Sequence, residues 1–342
     1  MTPDGLDQRL ARGWFRSGPL LYRTPVFPLD GVLRELVHIR LRVQAVPRSK
    51  SLRRVLRRGR ERFRCVVRRA RLTAEHERLY RATRGRFIGF VMRDLDGMAL
   101  CESDSPFDTR EVSVFDGDRL VAVSYFDVGR RAVASLLGLH DPAYASFGLG
   151  TYTALEEMAF AAAHGAQWHY PGYVVPDLPM FDYKLRLGSV QFLRPDGRWR
   201  ALAAQPLGTP LVDHATARFA ALEAALTARG VPHRRRIYPC VWLGWLDGTE
   251  VPFLRGMWHL ALQDAGPGVL VVEHLVAQDK FVLARARAVV GLDPFERVLP
   301  HPELAALCDL RALKYSSRIA VERSVEAIAD AAAAAVVEAG TR

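Results

Sequence analysis

The stretch HDPAYASFGLGTYTALEEMA, residues 140–159, decides how the chain is read. An apolar strand pattern, AVASLLGLH, runs up to His140. Phe147-Gly148-Leu149-Gly150 then forms a glycine turn, and a helix capped near Gly150 or Thr151 continues to about His164. A further strand, AQWHYPGYVV, follows at 166–175. A helix N-terminus presents N–H groups without partners and the positive end of the helix dipole. Glycines that let an anion come close make it a phosphate site. The same glycines could simply join strand to helix, and the turn alone does not separate the two readings.

Upstream, REVSVFDGDRLVAVSYFDV at 110–128 alternates on both sides of Asp116-Gly117, a pair suited to a tight hairpin turn. The order hairpin, strand, turn, helix, strand is α+β, a mixed sheet flanked by helices, and differs from the repeated βαβ units of a doubly wound sheet. Downstream, DLPMFDYKLRLGS at 177–189 is irregular and RPDGRWRAL at 194–202 reads as a hairpin. HATARFAALEAALTARG at 214–230 is a helix stopped by Gly230, and residues 237–264 read as two strands around Asp247-Gly248. GVLVVEHLVAQDKFVLARARAVV at 268–290 fits strand or helix, and SVEAIADAAAAAVVEAG at 324–340 is helical.

The net charge of +11 and pI of about 9.9 come from one place. Between Arg40 and Arg71 stand 14 Lys/Arg against a single acid, Glu61, so the remainder is close to neutral. VHIRLRVQAV at 37–46 reads as a strand. Residues 47–83 read as helical with a break near Gly59, Ser51 as a cap, and Val55 and Leu56 as a thin apolar stripe. Such a surface is either a solvated basic helix or a face that binds a polyphosphate, where Arg contacts release counterions.

With 342 residues, 49% of them apolar, the chain can bury more than one core. It is expected to divide into a basic N-terminal region at 1–90, a domain at 91–205 built around the glycine turn and a C-terminal α+β extension at 206–342. MTPDGLDQRLARGW has charges where a signal peptide's apolar centre belongs, and long uncharged apolar runs are missing, so a cytoplasmic protein without membrane contact is expected. Cys65, Cys101, Cys240 and Cys308 lie far apart and are expected as free thiols. Neither they nor any local Ser-His-Asp or zinc spacing suggests a metal.

The strand, Gly-x-Gly turn, helix and strand are similar to the central unit of GNAT acetyltransferases, where that turn binds the pyrophosphate of acetyl-CoA. In those enzymes Gln or Arg usually stands three residues before the first glycine; here it is Ala145. A broader resemblance covers about residues 6–195. GWFRSGPLLYR, PRSKSLRRVLRR, GDRLVAVSYFDV, HDPAYASFGLGTYTALEEM and YPGYVVPDLPMFDYK occur in the order seen in arginyl-tRNA and bacterial leucyl-tRNA protein transferases. Asp141, Pro142, Tyr144, Leu149, Gly150, Thr151 and Tyr152 match one block of that family, and Gly172, Tyr173, Tyr183 and Lys184 match another. The family's cysteine cluster, expected shortly after Leu21, Tyr22 and Arg23, is replaced by TPVFPLDGVLREL. Any metal held by those cysteines therefore lacks its ligands here.

The resemblance implies a GNAT-like enzyme that moves an amino acid from tRNA to an amine, such as a protein N-terminus, with aminoacyl-tRNA as co-substrate and no further cofactor. Gly148, Leu149, Gly150 and Thr151 would meet the terminal adenosine or its phosphate. Arg48, Arg53, Arg54, Arg57 and Arg58 would follow the acceptor stem by phosphate contacts. Lys184 and Arg186 could pair with an acidic acceptor terminus, and Asp127, His140, Tyr144, Tyr173 and Tyr183 are candidates for proton handling. Trp168 and Tyr170, alternating with His169, read as packing. An acyl-CoA-dependent N-acyltransferase using acetyl-CoA and a non-catalytic RNA-binding relic are the alternatives.

Overall fold

The computed structural model describes residues 1–18, 20–23, 26–29, 32–44, 49–87, 94–99, 105–176, 178–194, 196–202, 211–238, 253–256, 258–265, 268–289, 308–309 and 311–340. They fall into two compact units, Met1–Leu21 with Leu36–Leu207 and Tyr22–Glu35 with Gly208–Arg342.

The chain opens with α1 (Pro3–Ala11) and two short strand pairs, β1 (Phe15–Ser17) with β2 (Leu20–Tyr22) and β3 (Val26–Leu29) with β4 (Val32–Glu35). In the first unit there follow β5 (Val37–Arg42), α2 (Lys50–Arg62), β6 (Arg64–Arg69), α3 (Ala74–Thr83), α4 (Leu95–Ala99), β7 (Thr109–Asp116), β8 (Arg119–Val128) and β9 (Ala132–His140). After the 3-10 turn Pro142–Phe147 come α5 (Leu149–Ala163), β10 (Trp168–Tyr170), β11 (Tyr173–Val174), a 3-10 segment Pro179–Arg186, β12 (Val190–Leu193) and β13 (Trp199–Ala201). One sheet takes the order β13-β12-β5-β10-β9-β8-β7-β6, with β11 also on β5. Strands from residues 37–69 and from 109–201 therefore share a single sheet. The β9–β10 pair is parallel, and α5 connects the two strands. The expected α+β order is present.

The core of this sheet lies under α2 and α5, where Ile39, Leu41, Val121, Phe126 and Val133 meet Leu52, Leu56, Leu149, Tyr152 and Leu155. On the other face Leu6 and Leu10 of α1 pack with Ala132 and Tyr170. Residues 47–83 differ from the sequence reading. Helix α2 runs through Gly59 to Arg62, and its buried line is Leu52, Leu56 and Gly59, with Ser49 rather than Ser51 at the N-cap. CVVRR is strand β6, antiparallel to β7. Its charges are met by the neighbouring strand: Arg68 bonds Glu111 at 2.7 Å, and Arg64 lies 4.2 Å over the Phe115 ring. That long-range pairing is why an arginine-rich segment can be a strand.

In the second unit α6 (Leu211–Ala228) precedes an antiparallel sheet of β14 (Arg234–Ile237), β15 (Trp258–Ala265), β16 (Gly268–Leu275), β17 (Lys280–Val289) and β18 (Ala312–Glu322), followed by α7 (Val325–Gly340). Both helices contribute to a core with the sheet: Phe219, Leu222 and Leu226 of α6 and Ile328, Ala329 and Ala332 of α7 meet Leu260, Leu270 and Leu283. The stretch 268–290, which the sequence leaves open to strand or helix, forms a hairpin over its described residues, 268–289. Six consecutive residues of β16 are buried on alternating faces, which removes the period-2 signal a half-exposed strand would show. The Asp247-Gly248 turn lies outside the described residues, as do Cys101, Cys240 and Arg48. Cys65 and Cys308 are free thiols. Among the described residues no helix is long and apolar enough to cross a membrane.

Candidate functional site

At the start of α5 the chain turns through Gly148, whose φ of 65° is left-handed backbone that a side chain rarely tolerates. No side chain caps the helix, and a Cβ built on Gly148 or Gly150 would meet no atom within 4 Å. The first-turn amides of Leu149, Gly150 and Thr151 thus form an uncapped end beside open space. Asp141 caps the preceding 3-10 turn by accepting from Ala143 N at 3.0 Å and is held by Arg119.

The basic helix lies against this end. Gly59 of α2 meets the Tyr152 ring so closely that a Cβ there would clash with Cε2. One residue on, Arg60 grips Glu156 of α5 through Nε and Nη2 at 2.8 and 2.9 Å. Phe63 packs on Tyr144 and Phe147 with ring centroids 6.1 and 5.2 Å away. Arg62 binds both oxygens of Asp116, which also accepts from the Tyr144 hydroxyl at 2.9 Å. Arg53, Arg54, Arg57 and Arg58 remain on the exposed side of α2, Arg57 with an i,i+4 contact to Glu61. The glycine turn and the arginine face are thus joined by packed contacts.

About two turns into α5, roughly 12 Å along its axis, is a second polar group. Glu157 is 2% exposed and His169 of β10 is fully buried. Ser135 of β9 donates to Glu157 Oε2, and His169 Nε2 stands 3.0 Å from that oxygen and 3.1 Å from Ser135 Oγ. Tyr183 and Lys184 both feel the charge of the same carboxylate. Burial first, and then Glu157, pushes the Tyr183 hydroxyl up to about 12. Burial pushes the Lys184 ammonium down to about 8, against the pull of Glu157. Lys184 Nζ donates to the Tyr173 carbonyl at 2.9 Å and lies 5.2 and 5.3 Å from the Phe181 and Tyr173 rings. Burial also raises the Tyr173 hydroxyl.

The sheet opens beside this group. β10 pairs with β9 only at Ala132–Ala134, whereas β9 continues to His140. After Pro171-Gly172 the chain keeps its pairing with β5, Tyr173 opposite His38, but no longer pairs with β9. Beyond Ala134 this edge of β9 has no strand partner among the described residues.

Other sequence candidates sit elsewhere. Asp127 is 2% exposed and locked: Arg16 Nη1 donates at 2.6 Å and Thr109 Oγ1 at 2.7 Å. Arg16 is itself held by the carbonyls of Gly18 and Ala99. Phe126 belongs to the core under α5, so the next residue, Asp127, points to the opposite face of the sheet. Its place is a structural anchor, not proton handling at the site. His140 accepts at Nε2 from Arg86 at 2.9 Å, since guanidinium only donates. Burial, then the Arg86 charge, holds it below the usual histidine value. Its lone pair is engaged. The Tyr144 hydroxyl is engaged by Asp116, and Arg186 is exposed. Ser135, Glu157 and His169 escape the sequence reading; the available signal is two acids, Glu156-Glu157, in an otherwise apolar helix.

Residues 72–194 match the family model described as arginine-tRNA-protein transferase, C terminus. The chain is similar to an aspartate/glutamate leucyltransferase of Vibrio vulnificus (strain CMCP6), 25% identical over 202 residues, covering 58% of this chain and 84% of the relative. It is also similar to an aspartate/glutamate leucyltransferase of Xylella fastidiosa (strain M23), 30% identical over 207 residues, covering 56% and 77%. Among solved structures, FemX overlaps at a TM-score of 0.33 and 12% identity, covering 51% of this chain and 61% of that one. By the extent of the sequence matches, the chain belongs to the arginyl- and leucyl-tRNA protein transferase family and is an aminoacyltransferase.

Proposed function

We propose that the chain transfers an aminoacyl group from the 3′ end of tRNA to the N-terminal amine of a polypeptide. The carrying observation is that the exposed arginines of α2 and the uncapped turn of α5 are fastened side by side through Gly59–Tyr152 and Arg60–Glu156. A polyanion lying along α2 would bring its end to the amides of Leu149–Thr151. Relatives named for leucyl transfer to aspartate or glutamate, and a family model named for arginine, tRNA and protein, support both substrates.

An aminoacyl ester is already activated. The amine attacks the carbonyl carbon, a C–N bond forms, the C–O bond to the ribose breaks, and the leaving oxygen takes a proton. No enzyme-bound acyl intermediate is needed. Alignment and a positive group near the developing oxyanion supply most of the acceleration. Lys184 has that chemistry: its ammonium lies beside the gap between β9 and β11, restrained by the Tyr173 carbonyl and with Glu157 favouring its charged form.

The test is label transfer from a panel of aminoacyl-tRNAs to peptides beginning with Asp or Glu. Transfer from at least one pairing is expected; transfer from acetyl-CoA alone would overturn the proposal. Replacing Arg53, Arg54, Arg57 and Arg58 together should weaken tRNA binding. It should also flatten the slope of log K against log salt by about 0.7–0.9 for each phosphate that is no longer neutralised. Gly150→Asp should keep the helix, since Asp is favoured in a first turn, yet repel the phosphate and lower tRNA affinity.

A further inference from the structure

The second unit, which holds none of the candidate transfer-site residues, gathers three ligand-type side chains from separate segments. His214 is on the first turn of α6, His274 near the end of β16, and Asp279 in the turn before β17. Asp279 Oδ1 stands 3.0 Å from His274 Nε2 and 3.4 Å from His214 Nε2. All three donor atoms lie within 4.8 Å of one another. Ligands at the usual zinc bond lengths and tetrahedral angles are roughly 3.3 Å apart, so small movements would place all three on one ion.

The arrangement is built rather than loose. His274 is fully buried, with its ring 4.8 Å from that of Phe281 and 6.0 Å from that of Phe219. Its Nδ1 makes no hydrogen bond, so this ring's polar contact is directed to the cluster. Asp279 has a φ of 46°, the one non-glycine residue with positive φ among those described. That conformation is uncommon outside glycine, though Asp and Asn tolerate it best. The His214 side chain is 44% exposed, which leaves the outer side open to water. One cation opposes binding: Arg218 Nε is 3.1 Å from the same Asp279 oxygen, while its Nη2 donates to the Arg323 carbonyl.

We propose that His214, His274 and Asp279 form a site for one divalent ion of the zinc class, open at a fourth position. Two imidazoles and one carboxylate select such ions over magnesium, which favours an all-oxygen shell. The ion would pin the start of α6 to the β16–β17 turn. Local motifs cannot reveal it, because about 60 residues separate His214 from its two partners.

The test is titration of the full chain, stripped with EDTA, with Zn²⁺ and Co²⁺, followed by calorimetry and by the visible bands of tetrahedral cobalt. One equivalent is expected to bind, with a rise in Tm by mass action. Asp279→Asn keeps the backbone preference and should weaken binding at least tenfold, as should His274→Gln, with circular dichroism unchanged. Arg218→Gln should tighten it. Mg²⁺ should not compete. If the stripped wild-type chain binds no ion, or Asp279→Asn binds as tightly as wild type, the site does not exist and the four groups are an ion-pair network only.

Discussion

Lys184 and Asp127 are both charged groups removed from water, but their surroundings assign them different work. With its value lowered to about 8, Lys184 loses its charge as pH rises through that point. An acceptor amine of ordinary pKa, about 7.7–8.0, becomes nucleophilic over the same range. The rate should therefore climb toward pH 8 and fall above it. Lys184→Met should abolish the alkaline fall and reduce kcat by about 10²–10³; a falling limb that survives in this variant would remove Lys184 from the chemistry. Asp127→Asn should instead act on folding, because it breaks the buried ion pair with Arg16. A loss of about 3–5 kcal/mol is expected from urea unfolding. The two residues look alike in the sequence. Lys184 sits in an irregular aromatic segment, whereas the partners of Asp127 come from Arg16 and Thr109, too distant for any local pattern to reveal.

Helices and strands are legible where their signals are local. The hairpin around Asp116-Gly117, the α5 helix and the hairpin read at 194–202, where β12 pairs with β13, follow from alternation, glycines and periodicity. α2 shows the limit. Its Gly59 resembles a helix breaker, yet the position is required by the Tyr152 ring of another helix. Gly59→Ala ought to gain up to about 1 kcal/mol of intrinsic helix propensity. The clash with the Tyr152 ring opposes this, and overpacking of a fitted contact costs about 1–3 kcal/mol. Net destabilisation is expected in chemical unfolding, relieved when Tyr152 is shortened to Leu in the same chain. An increase in stability from the single substitution would show that the two helices are farther apart. β6 reads as helix for a related reason: Glu111 and Phe115, which make its arginines tolerable, lie more than 40 residues on.

At the scale of the whole chain, residues 22–35 belong with 208–342, so the second unit is assembled from two separated pieces. Glu35 fastens them by accepting from Leu211 N at 2.7 Å, at the start of α6. Burial pushes this carboxyl up to about 7, and burial does the same to Glu273, which accepts from the Arg255 and Gly256 amides. Both acids hold a proton more tightly when folded. Between pH 4.5 and 7 these two carboxyls therefore bind more protons in the folded unit than in the unfolded chain, and the stability they contribute falls as pH rises across that window. Calorimetric unfolding of the second unit should shift to higher temperature on going from about pH 7 to about pH 5.5, and Glu35→Gln with Glu273→Gln should flatten the change. The sequence signals a second core after about residue 205, but not that the β3–β4 pair is part of it, because a strand pair looks the same in sequence wherever it finally packs.

Where β9 outlasts β10, one rail of a ladder is left, among the described residues, without its rungs, beside the Ser135–Glu157–His169 triangle. Peptide N–H and C=O groups along that rail can recognise what all amino acids have in common, whatever their side chains. A catalyst so equipped would align its cargo by the backbone, leaving the choice of residue to be made farther from the bond that breaks.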